Sequence, residues 1–277
     1  MQSGQQSSLQ VNLQGFTVWR ICLDRVLKSG FAGSFYPAGA EELESLVKRL
    51  LHNECQPVEN AVGMVVPHAG YVYSGKTAGY GFSSAPDDVS TVVIIAPSHR
   101  YPLTGETVFD VDFLETPLGK CPVDRVVANS LASEMDTVVF NEHSLEVMIP
   151  FVQVRWPEAK VVPVVLGTRP NCRKTAELVQ QYAPDAFVIA SSDLSHFHLL
   201  YIAEKLDREV IKAFLSLSPD RITDDIEACG RWAIQTLLII AELRGAEKAI
   251  ELDYSTSFDA GAGATQVVGY FSGLVTK

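Results

Sequence analysis

Apolar residues in this chain fall in short continuous runs rather than in strict alternation. Residues 61–66, 91–96, 160–166 and 186–190 (AVGMVV, TVVIIA, KVVPVVL and AFVIA) are nearly unbroken, and most are rich in β-branched side chains. Runs of that length and composition predict strands, and apolar positions on both faces predict central strands covered from two sides. Other segments have helical spacing. Residues 41–52 place Leu43, Leu46, Val47 and Leu50 on one face. Residues 199–217 predict an amphipathic helix stopped near Ser218-Pro219, and residues 224–244 another ended by Gly245. Residues 265–275, with Gly269 inside, predict a last strand. Strands alternating with helices define an α/β chain, expected as a three-layer α/β/α sandwich. The stretch 108–123 is less regular and is broken at Pro117-Leu118-Gly119, so a mixed sheet is expected rather than a purely parallel one. With no repeat and no internal linker, residues 30–277 are expected to form one domain. Residues 1–29, Gln- and Ser-rich at the start, are expected to be a variable or disordered extension.

Composition narrows the function classes. The 277 residues can bury a sizeable core, and the formal net charge is −11. A nucleic-acid partner is not expected, since such binding rests on Lys and Arg neutralising phosphates. No apolar run has the length of a membrane span, and residues 16–27 carry Arg20, Asp24 and Arg25, which makes a poor signal-peptide core. Five cysteines (Cys22, Cys55, Cys121, Cys172, Cys229) without paired spacing suggest a reducing compartment. A cytoplasmic protein is the expectation.

The chemistry collects where apolar runs end. MVVPHAGY places His68 just after one predicted strand, TVVIIAPSHR places His99 after a second, and FVIASSDLSH places Asp193 and His196 after a third. Ligand sites in open α/β sheets lie at the carboxyl ends of strands. If these strands are neighbours, the four side chains meet in one pocket, and Ala69, Gly70 and Ser98 leave room for close approach. Neutral imidazoles are common metal ligands, and two of them with one anionic ligand form a non-haem Fe(II) site with open positions. The anion could come from Asp193, from Glu142 or from a thiolate at Cys229. Cys229 lies near the start of the helix predicted over 224–244, and a helix N-terminus favours a thiolate. Each feature also has a plainer explanation. A single histidine at a strand end is more often a structural hydrogen-bonder, and a single cysteine is usually a small buried apolar group. His52 is expected on the surface and His198 away from the pocket. His143 is expected either behind the site or capping a helix that starts near Ser144. Tyr71 and Tyr73 are candidates to line the pocket or to pack half-buried.

AGSFYPAGAEEL (32–43), PHAGYVYSG (67–75), APSHR (96–100), ETPLG (115–119), EHSLE (142–146), SSDLSH (191–196) and Cys229-Gly230 together resemble the Memo family, in order from about residue 30 to the C-terminus. That family is named for a mediator of cell motility, and its microbial members are AmmeMemoRadiSam system protein B-like, often encoded near a radical-SAM protein. The resemblance implies a fold like that of class III extradiol dioxygenases. It implies that His68 and His99 match the two histidine ligands, that Cys229 stands where the dioxygenases keep a carboxylate, and that His196, beside Asp193, matches the catalytic acid/base. The implied metal is Fe(II). A softer sulfur ligand admits Cu or Zn and puts the dioxygenase reaction itself in question.

Three functions compete. The first is a metal-dependent redox or oxygenase-type activity on a small molecule, with His196 moving a proton and Asp193 orienting it. The second is a non-catalytic binding or scaffold protein that uses a vestigial enzyme pocket for a peptide or partner, a radical-SAM protein among the candidates. The third is a metal-free hydrolase with Cys229 as nucleophile and His196 as base, which leaves His68 and His99 unexplained.

Overall fold

The four continuous apolar runs lie side by side. The computed structural model describes residues 9–13, 16–20, 24–52 and 55–277. Much of the expected N-terminal extension, including Cys22, therefore lies outside the described residues. In chain order the elements begin with β1 (Leu9–Leu13), β2 (Phe16–Arg20), β3 (Val26–Leu27), α1 (Ala40–Leu51), β4 (Ala61–Val66) and α2 (Tyr71–Ser84). They continue with β5 (Thr91–Pro97), β6 (Glu106–Val108), β7 (Phe113–Thr116), β8 (Gly119–Pro122), α3 (Arg125–Ala132), α4 (His143–Glu146), α5 (Ile149–Arg155) and β9 (Lys160–Leu166). The last are α6 (Cys172–Tyr182), β10 (Phe187–Ser191), β11 (His196–His198), α7 (Leu200–Leu215), α8 (Arg231–Leu243), β12 (Lys248–Thr256) and β13 (Val267–Thr276).

The main sheet runs β11–β13–β4–β10–β5–β9–β6, with β12 also paired to β13. Its centre, β4–β10–β5–β9, is parallel. β13, β12 and β6 join antiparallel, so the sheet is mixed. Helices α1, α2 and α5 pack together on one face, and α6 and α8 on the other with α7 beside them. This is the three-layer α/β/α sandwich expected from the sequence. Val92 to Ala96 and Val188 to Ala190 are fully buried, which is why these strands show no alternation. Outside the main sheet, β3, β7 and β8 form a small sheet of their own. Arg25, just before β3, binds Asp112 through its backbone and side chain and also pairs with Asp110. The chain is therefore anchored to the domain a few residues before position 30.

The helix expected over 224–244 begins only at Arg231. Its would-be first turns are used elsewhere: Cys229 N–H donates to Asp193 O and Gly230 N–H to the Ser192 hydroxyl. Tertiary hydrogen bonds satisfy these groups in place of a helical turn. No helix among the described residues is long and apolar enough to cross a membrane.

Candidate metal centre

Because β4, β10 and β5 are parallel neighbours, the loops that leave their carboxyl ends converge. His68 follows β4, Asp193 follows β10 and His99 follows β5. His143 arrives from a different direction, as the first residue of α4, whose N-cap is Glu142. Nitrogen atoms of His68, His99 and His143 lie within 4.8 Å of one another. The imidazoles meet edge to face or tilted, with ring centroids 5.2 Å apart for His68–His99 and 4.7 Å for His99–His143. Accessibility is graded: His68 is 2 % exposed, and the side chains of His143 and His99 are 13 % and 30 % exposed.

Hydrogen bonds orient two of the rings. Ser191 Oγ donates to Ser144 O at 2.6 Å, so its remaining role toward His68 Nδ1, 2.8 Å away, is to accept. His68 therefore carries its proton on Nδ1 and turns the bare Nε2 inward. Burial, followed by the fields of His99 and His143, pushes the His68 pKa well below 6.5 and keeps the ring neutral. His99 Nδ1 lies 3.2 Å from Glu142 Oε1, which leaves its Nε2 free in the same way. His143 Nδ1 is 3.0 Å from that same oxygen but is off the line of a hydrogen bond. Glu142 also accepts the backbone N–H groups of His99 and Arg100 through Oε2. Burial alone would raise its pKa, but the close ring nitrogens of His143 and His99 and the backbone N–H of His99 outweigh that and hold it well below the usual carboxylate range. Glu142 is thus a buried anion that orients imidazoles, an arrangement characteristic of metal-binding histidines.

Cys229 completes the inner wall. Its Sγ is 3.2 Å from His68 Nε2 and receives the Asp193 N–H at 3.3 Å. A side chain at position 230 would put its Cβ 2.2 Å from Ser191 O, so only glycine lets the cysteine loop dock against the end of β10. The expectation of a thiolate favoured by the helix N-terminus is corrected. Burial, then the Asp193 charge, pushes the Cys229 pKa far up, and the group is a thiol until a metal displaces its proton. Asp193 is engaged by the backbone of the His68 loop. Oδ1 accepts from His68 N and Ala69 N, at 2.7 and 3.3 Å, and burial raises its pKa despite those bonds. His196 sits on β11, half-buried and near enough for its charge to act on both Asp193 and His68.

Among the other candidates, Tyr71 turns into the core: its ring packs on Phe151 and Tyr36, and its hydroxyl donates to Val147 O at 2.6 Å. His198 is held by Glu227 at 2.7 Å and His52 is exposed. Two positioning groups, Ser191 and Ser144, carried no signal in the sequence because serines at strand and helix ends are common. His99 and Cys229 open onto a cleft of about 750 Å³ between the loops after β5 and β9 and the start of α8.

Fold and site together define a class: an α/β sandwich with a histidine cluster at the carboxyl edge of its parallel strands. A family model described as Memo-like protein matches residues 28–274. The chain is 34 % identical over 262 residues to a MEMO1 family protein of Thermoplasma volcanium, covering 89 % of this chain and 97 % of the relative. It is 35 % identical over 263 residues to a MEMO1 family protein of Methanococcoides burtonii, with 88 % and 97 % coverage. For a MEMO1 family protein of Thermotoga maritima the identity is 32 % over 278 residues, with 90 % and 99 % coverage. The chain belongs to the Memo family.

Proposed function

We propose that this protein holds a single transition-metal ion between His68, His99 and Cys229, with His143 as a further donor or a flanking group, and that the ion presents open positions to the cleft. The observation that carries this reading is the convergence of nitrogen atoms of His68, His99 and His143 to within 4.8 Å of one another, together with Cys229 Sγ 3.2 Å from the bare nitrogen of His68. A mixed nitrogen and sulfur donor set suits Fe(II), and also Cu and Zn. Bound Fe(II) would supply Lewis acidity and a one-electron redox couple. The chain's own contribution is to keep His68 neutral, to release the Cys229 proton on loading, and to offer His196, steered by Asp193, as the proton-moving group toward a small molecule. The second reading, a binding pocket without turnover, is favoured by the exposed Phe197, whose ring centroid lies 5.7 Å from that of His196.

Loading the metal-free protein with Co(II) tests the donor set. A charge-transfer band from thiolate to cobalt is expected in wild type, absent in Cys229→Ser, with both spectral and binding changes in His68→Ala and His99→Ala. Binding of Co(II) without such a band, unchanged in Cys229→Ser, would remove the cysteine from the centre.

A further inference from the structure

The cleft beside the centre is basic in an acidic protein. Three arginines line it, Arg100, Arg169 and Arg231, against one aspartate, Asp224. Their guanidinium groups are poorly partnered. Arg169 makes no ion pair or side-chain hydrogen bond among the described residues. Arg100 lies over the Phe31 ring at 5.4 Å, and its only hydrogen bond among the described residues is through its backbone. Arg231 stacks over Trp232 at 5.2 Å and approaches the exposed Asp224 only at 3.5 Å, while its Nε is buried with no partner. A buried N–H without an acceptor is costly, and each such case calls for an explanation.

Two further observations point the same way. Arg169 has φ +53°, a left-handed conformation that glycine adopts freely and an arginine adopts only at a cost. Arg231 is the first residue of α8, so the positive end of that helix faces the same space. The three arginines share the cleft with His99 and Cys229.

We infer that this cleft binds an organic oxyanion, a carboxylate or a phosphate on a small molecule, with Arg169 and Arg231 pairing the anionic group and Trp232 offering an apolar plane beside it. Guanidinium groups match both anions in a two-pronged geometry. The inference rests on the metal-centre reading only for where the rest of that molecule points.

Calorimetric titration of benzoate, phenyl phosphate and uncharged benzamide tests it, on metal-stripped and Zn(II)-loaded protein. At least one of the two anions is expected to saturate in both metal states, and which one binds assigns the group. Its affinity should fall about tenfold in each of Arg169→Gln and Arg231→Gln, the loss of one charged hydrogen bond. Benzamide should bind far more weakly. Should Arg231→Gln fail to fold, Arg169→Gln, at an exposed position, carries the test. The inference is overturned if neither anion saturates, if benzamide binds as tightly, or if the arginine variants bind the anion as wild type does. Zn(II) affinity, measured separately, shows whether the metal reading fails on its own.

Discussion

Cys229 Sγ lies 3.2 Å from His68 Nε2, although the two residues are 161 positions apart in the chain. The contact joins the loop after β4 to the turn before α8. A neutral imidazole and a thiol at that distance are a pair a soft metal ion can separate and bind. Replacing the sulfur by oxygen keeps the shape and removes the soft donor. Cys229→Ser is expected to weaken Zn(II) or Co(II) binding by at least about tenfold, with little change in the melting temperature of the metal-free protein. Competition against a chromophoric chelator measures it.

Glu142 acts through the histidines. Glu142→Gln keeps its volume but removes the charge that faces His99 and His143, and it replaces one acceptor oxygen by a donor. Metal affinity should drop by about 10–100-fold, the usual effect of losing a ligand's orienting partner. The same chelator competition checks it. An affinity equal to wild type would mean that backbone packing alone orients His99.

Acid should loosen the metal-free fold before the carboxylates titrate. The His68 pKa is lowered in the folded state by burial, with His99 and His143 adding to it. Below about 6.5 the unfolded chain therefore binds a proton that the folded chain refuses, and stability falls as pH falls. Urea midpoints of metal-free protein between pH 7 and pH 5 should decline, and the decline should be smaller in His68→Gln. Equal slopes in the two proteins would show that His68 is not the group responsible.

Gly230 is fixed by contact rather than by conformation. A methyl group there would sit 2.2 Å from Ser191 O and 2.7 Å from Ser192 Cβ. Gly230→Ala must push the cysteine loop off β10, at a cost of about 1–3 kcal/mol, the range for overpacking. Urea unfolding should show that loss, and metal binding should fall with it because Cys229 moves.

The central strands were legible in the sequence because burial on both faces leaves an unbroken apolar run, and β4 and β9 begin and end where the runs do. α2 was not, because YVYSGKTAGYGFSS carries Gly75, Gly79 and Gly81, residues that discourage a helix in isolation. The structure keeps them for close packing: a Cβ on Gly79 would meet Leu50 O at 2.2 Å. Within the site, His68, His99 and Asp193 could be read from their place after strands. The part played by His143 could not, since it depends on α4 folding back onto the sheet edge, a long-range contact that no local pattern encodes. The protonation of Cys229 was hidden for the same reason. Its helix-start position points one way, and the burial that only the fold creates points the other and is the stronger.

The most direct test of the account is the metal content of protein purified without oxygen and without a metal-affinity tag, beside His68→Ala, His99→Ala and Cys229→Ser. The account predicts close to one transition-metal ion per wild-type chain, iron first, and a loss of that ion in all three folded variants. A wild-type protein that holds no metal, even after Fe(II) is supplied, would contradict it.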